Sequence, residues 1–136
     1  MDVLSDVLRV VRLTSAVFFT ARFSSPWSIE SPPSDQLARS LRLRAESIAL
    51  FHVLVEGRCW VSMEGHAPLE MEAMDVIIFP HGHAHVMSSH LNRRPQPIGT
   101  LLPTQISEEI PKLEHGGGGE ATRFVCGYLH CDQRFN

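Results

Sequence analysis

Residues 74–87 read MDVIIFPHGHAHVM. A β-branched and aromatic run, Val76 to Phe79, meets Pro80 and Gly82 and then histidines at alternate positions: His81, His83 and His85. Apolar β-formers bounded by turn residues read as a strand. Side chains two apart share a face of a strand, so the histidines pose a choice between a metal site, a ligand pocket and a polar strand entry. Pro80 and Gly82 put His81 and His83 in a turn. A turn rarely aims alternate residues into one cavity, so these two are expected at the rim, exposed and titrating near neutral pH.

Working outward, short strands follow one another closely. SIALFHVLVEG (47–57) reads as a strand ending at a turn, and RCWVSMEG (58–65) as its return partner. Glu56-Gly57 and Glu64-Gly65 sit where hairpins would turn, with glycine supplying positive φ. AVFFTARF (16–23) is strand-like and runs into the Pro- and Ser-rich SSPWSIESPPS (24–34). Residues 91–121 form a polar, Pro-containing excursion ending in Gly116–Gly119, a composition typical of flexible linkers. TRFVCGYLH (122–130) reads as the last strand. Before all of these, MDVLSDVLRVVRL (1–13) spaces its apolar residues as an amphipathic helix, acidic near its start and basic toward its end. The expected class is all-β with a short N-terminal helix, in one domain spanning 1–136 whose barrel covers 14–131.

Composition narrows the function classes. A chain of 136 residues, 43% hydrophobic and 20% charged, suits one soluble globular domain. Its net charge of −3 disfavours direct grip on a nucleic-acid backbone. Three cysteines, Cys59, Cys126 and Cys131, are too few and odd in number for a disulfide framework, so a reducing, cytoplasmic setting is expected. Asp2 and Asp6 interrupt the N-terminal apolar residues, unlike a signal peptide, and no run reaches membrane-spanning length. The tetraglycine lacks the Lys and Ser/Thr of a phosphate-binding loop.

FHVLVEGRCWV (51–61) together with MDVIIFPHGHAHVM resembles the cupin superfamily. The second cupin motif, G-x5-P-x-G-x2-H, is matched at Pro80, Gly82 and His85, with Met74 standing at its first glycine. Val53–Gly57 resembles the turn closing the first motif. The opening helix pattern, the Phe23–Trp27 stretch, FH…EGRCW, the glycine run and the last strand together resemble the N-terminal sensor domain of AraC-type transcription regulators. That resemblance implies a double-stranded β-barrel (jelly-roll) that binds a small effector and commonly pairs as a homodimer. It also implies a following helix-turn-helix, which does not occur before the sequence ends at Asn136. Metal-binding cupins carry H-x-H and Glu before the first turn; the corresponding positions fall near Arg44, Glu46 and Leu50, none of them a histidine, with leucine at the acid position.

Strand alternation then selects candidates. If Leu50 stands at the inward acid position, His52 and Leu54 also point inward, while Phe51 and Val53 face outward. His85 faces the same cavity by its place in the second motif. Phe124, Cys126, Tyr128 and His130 share a face of the last strand, although Cys126 and His130 lie too far apart for one ion, at roughly 13 Å along a strand. Two readings remain open. In one, His52, His85 and Cys126 ligate zinc, which accepts imidazole and thiolate and would keep one position open. In the other, the histidines are satisfied core groups or effector contacts and Cys126 is packing. Effector contacts are expected from His52, Leu50, Leu54, His85, Phe124 and Tyr128. His66, His90, His115, His130 and Cys131 are expected at the surface or terminus. No catalytic residue is expected, because no coupled acid–base pair reaches the cavity. The alternative is a small metal-dependent cupin enzyme, an oxygenase or isomerase.

Overall fold

The computed structural model describes residues 15–33, 36, 48–102 and 109–130. The strands are β1 (Ser15–Ser24), β2 (Ser28–Ser31), β3 (Ile48–Glu56), β4 (Arg58–Ser62), β5 (Leu69–Glu72), β6 (Val76–Phe79), β7 (His85–Ser88), β8 (Gln96–Pro97), β9 (Lys112–Gly116) and β10 (Ala121–His130). They form two facing mixed sheets, ordered β6-β3-β10-β1-β9 and β5-β4-β7-β2-β8. This is the all-β, double-stranded jelly-roll that the resemblance implies. The amphipathic 1–13 segment lies outside the described residues.

The core fills the space between the sheets. Phe19, Ala21 and Phe23 on β1, Leu50 and Leu54 on β3, and Phe124 and Cys126 on β10 face Ile29, Cys59, Val61, Met71 and Met87 of the other sheet. Each set alternates along its strand, as a half-buried pleat requires. Phe51, Val53 and Val125 form a second buried cluster on the opposite face of the first sheet. Burial on both faces explains why β3 reads as a nearly unbroken apolar run instead of alternating.

Two expectations about turns are corrected. β3 and β4 are not hairpin partners: β3 pairs with β10 and β6, whereas β4 pairs with β5 and β7. Gly57 (φ +88°) therefore turns the chain from one sheet to the other, and a Cβ there would meet the Ala121 carbonyl at 2.6 Å. Glu64-Gly65 does lie in the hairpin loop joining β4 to β5. The tetraglycine is a packed turn and not a flexible linker. Its Gly117 and Gly119 amides donate to the carbonyls of Ser24 and Ser25 at 2.9 and 2.8 Å, and the Gly118 amide donates to Ser24 Oγ at 3.0 Å. At Gly116 and Gly119 a Cβ would meet the backbone carbonyls of Ser24 and Ser25 at 1.8 and 2.7 Å, whereas Gly118 faces open space.

The β5–β6 turn keeps the motif's geometry without its glycine. Met74 holds φ 80°, the left-handed conformation glycine takes without strain. Asp75 Oδ2 accepts from the Glu72 amide at 2.8 Å, so this acid secures the turn's backbone.

Candidate ligand site

His52, His85 and Cys126 come from three strands and meet between the sheets. His52 and Cys126 are direct partners in the β3–β10 register. His85 belongs to β7 of the opposite sheet. His52 Nδ1 lies 2.6 Å from Cys126 Sγ, and His52 Nε2 lies 2.6 Å from His85 Nε2. His85 Nδ1 lies 2.9 Å from the carbonyl oxygen of His83. One hydrogen-bonded line therefore runs from thiol to imidazole to imidazole to backbone.

The direction of that line follows from its far end. A carbonyl oxygen only accepts, so His85 Nδ1 carries hydrogen and donates. Burial holds His85 below its usual pKa, against the opposing effect of the His83 bond, and its ring is neutral. Its Nε2 is then a bare acceptor, which requires His52 Nε2 to be the donor. Burial, reinforced by the nearby His85, holds His52 well below its usual pKa, so it too is neutral and its Nδ1 accepts. The Cys126 thiol donates to it. Burial, with Cys59 nearby, raises the Cys126 pKa well above the ordinary value, which keeps the proton on sulfur. Phe79 lies flat on His85, with ring centroids 3.8 Å apart at 8°, and excludes water from one face of the ring.

This arrangement does not fit one zinc ion held by all three residues. The two ring nitrogens of His52 point away from each other, one toward sulfur and one toward His85, so three donor atoms do not converge. Among the described residues, no three His, Cys, Asp or Glu side chains are grouped to hold a metal.

Beside the line lies a cavity of about 270 Å³, walled mainly by Phe19, Leu50, Ile98 and Leu102, with His52 and Cys126 in the wall and Ser31 and Gln36 among the polar residues. Two of the expected effector contacts, Leu50 and His52, are thus at the cavity, joined there by Cys126, which was expected as a zinc ligand or as packing. Leu54 and Phe124 pack deeper in the core, and His85 is buried outside the wall residues. Tyr128, opposite Leu50 in register, is half-buried against the core and likewise not in the wall. His81 and His83 are exposed, as are His66 and His90. His115 is half-buried edge-on to Phe23. Cys131 and the His130 side chain lie outside the described residues. Phe19, Ile98 and Leu102 were not among the expected contacts. Phe19 was legible, since it alternates with Ala21 and Phe23; Ile98 and Leu102 form a short apolar island inside the polar excursion.

A family model described as Cupin matches residues 2–135. The chain belongs to the cupin family. Comparison with curated proteins returns no match. Among solved structures the chain is similar to the Schizosaccharomyces pombe Cnp3 cupin domain, with a TM-score of 0.45 and 12% identity over 85% of this chain and 52% of that one. The chain thus spans about half of that structure. No helix among the described residues of this cupin is long and apolar enough to cross a membrane.

Proposed function

We propose that this cupin is the effector-sensing domain of an AraC-type transcription regulator, and that it takes a small, mostly apolar effector directly into the cavity beside His52 and Cys126. The observation that carries the reading is the cavity itself. Its volume of about 270 Å³ is just below the range of drug-sized ligand pockets, about 300–1,000 Å³. Its wall is apolar apart from a few polar groups, the usual pattern of a small-molecule site. The sequence resemblance supplies the regulator assignment, and no ion is assigned to the site, because its candidate ligands do not converge. The regulator would pair as a homodimer through the β6 edge, where Val76 and Ile78 are 56% and 50% exposed beside the buried Phe51 and Val53.

The test is ligand identification from protein prepared without an affinity metal, by native mass spectrometry with elemental analysis of the same sample. A bound organic molecule without stoichiometric metal supports the reading. Leu50→Trp, which fills the cavity, should then abolish binding. Stoichiometric zinc lost with Cys126→Ser would overturn the direct-contact reading.

A further inference from the structure

The cavity has a chemical peculiarity that simple apolar binding does not use. Its wall contains a thiol whose hydrogen is directed at a neutral imidazole, and that imidazole is itself backed by a second one anchored to a carbonyl. A nucleophile, a base that accepts its proton and a group that orients the base constitute the general logic of activated nucleophiles. We propose that Cys126 captures a small α,β-unsaturated carbonyl compound covalently in this cavity, with His52 as the base and His85 as the positioning residue. The inference rests on the effector-binding reading and names the chemical class of the effector.

The step balances without any further reagent. Sulfur of Cys126 attacks the β-carbon and forms an S–C bond, while the C=C π bond breaks and its electrons move toward the carbonyl. The thiol proton passes to His52 Nδ1. His52 in turn releases its Nε2 proton toward His85 Nε2, so the positive charge is shared with a ring whose Nδ1–H donates to the His83 carbonyl. Reversal of this shift returns a proton through Nδ1 to the α-carbon, leaving a thioether and neutral rings. Ser31 and Gln36 are the polar wall residues near which a carbonyl oxygen can be accommodated.

Burial makes the thiol selective. A proton held firmly on sulfur leaves little free thiolate to react with reagents in bulk solution. Reaction requires an electrophile small and apolar enough to enter, at which point proton transfer to His52 accompanies attack. Cys59 is also buried, with its thiol pushed up to about 12, but it is not a cavity-wall residue and has no comparable imidazole partner among the described contacts.

The test uses the whole chain, with trans-2-hexenal as electrophile and 1-hexanol as an unreactive occupant, read by intact mass and peptide mapping. The expected result, in a Cys131→Ser background, is one adduct per chain, at Cys126, with a rate that saturates with hexenal and falls when hexanol is added. His52→Gln should slow capture by at least about 100-fold, the usual span of general-base effects. Cys59→Ser should react at the wild-type rate. The proposal is overturned if Cys59 reacts as fast as Cys126, if no adduct forms at Cys126, or if His52→Gln reacts normally. Should that variant not fold, the adduct's position and its competition by hexanol in the Cys131→Ser chain decide the matter. Hexanol that stabilises the protein while hexenal leaves Cys126 untouched would sink covalent capture and leave the effector cavity standing. Indifference to both would count against the cavity reading as well.

Discussion

At His52 a neutral imidazole uses its one donor and its one acceptor on buried partners, so adding a proton there removes an acceptor and places charge where water is absent. The consequence is a pH dependence of stability. Burial depresses the pKa of both His52 and His85. As pH falls below the unfolded value of about 6.5, the unfolded chain takes up protons that the folded one refuses. Stability should therefore decline by up to about 1.4 kcal/mol per pH unit for each of the two rings. The buried thiols act in the opposite direction: Cys59 is raised to about 12, and Cys126 is raised as well. Above about pH 8.5 the unfolded thiols ionise first and stability falls again. Urea midpoints measured from pH 5 to 10 should show a plateau between these limits. A profile flat down to pH 5 would mean that the rings are not buried neutral. Met74 makes a second test at this scale. Glycine at its φ of 80° avoids a left-handed penalty of about 1–2 kcal/mol, in part offset by glycine's greater unfolded-state entropy. Met74→Gly should stabilise by roughly 0.5–1 kcal/mol, read from chemical denaturation.

Among the elements, the strands were more legible than their connections. The cupin resemblance placed Leu50 inward, and alternation then carried His52 and Leu54 to the same side of β3 and Phe51 and Val53 to the other, as the core clusters have it. It also brought His52 and Cys126 to one face without revealing that they pair, since register is a property of two strands. Gly57 read as a hairpin turn because glycine's positive φ serves a sheet-to-sheet corner equally well. The tetraglycine read as a linker because composition reports what a segment permits, and not the Ser24–Pro26 backbone packed against it. The three donor atoms of the expected zinc set illustrate the same limit. Spacing can gather ligands, but the direction of each ring nitrogen is fixed only by the assembled sheets. The glycine turn offers a graded test. A Cβ at Gly116 would lie 1.8 Å from the Ser24 carbonyl, whereas at Gly118 it would meet nothing within 4 Å. Gly118→Ala should cost about 1–2 kcal/mol through its φ of +90° alone. Gly116→Ala should cost clearly more, by melting and denaturant titration, since it must displace the β1–β9 pairing. Equal losses would contradict the packed turn.

Over the whole molecule, the β6 edge predicts self-association. Sedimentation at tens of micromolar should show a dimer, an order-of-magnitude range for an interface of standard size. Val76→Lys with Ile78→Lys should yield monomer with the barrel intact, and an unaltered chain that sediments as monomer would rule out this edge as the interface. Within each barrel, His52 and His85 join the two sheets through one polar bond across an otherwise apolar core. The orientation of that bond is the central claim, because the same atoms turned toward one ion would make a metal centre. Long-range nitrogen–proton NMR spectra of the uniformly nitrogen-labelled protein near pH 7.5 report which ring nitrogen carries hydrogen. The account predicts hydrogen on Nε2 of His52 and on Nδ1 of His85, both rings neutral, with neither spectrum altered by adding zinc or chelator. Hydrogen on Nδ1 of His52, or zinc-dependent shifts in both rings, would contradict it.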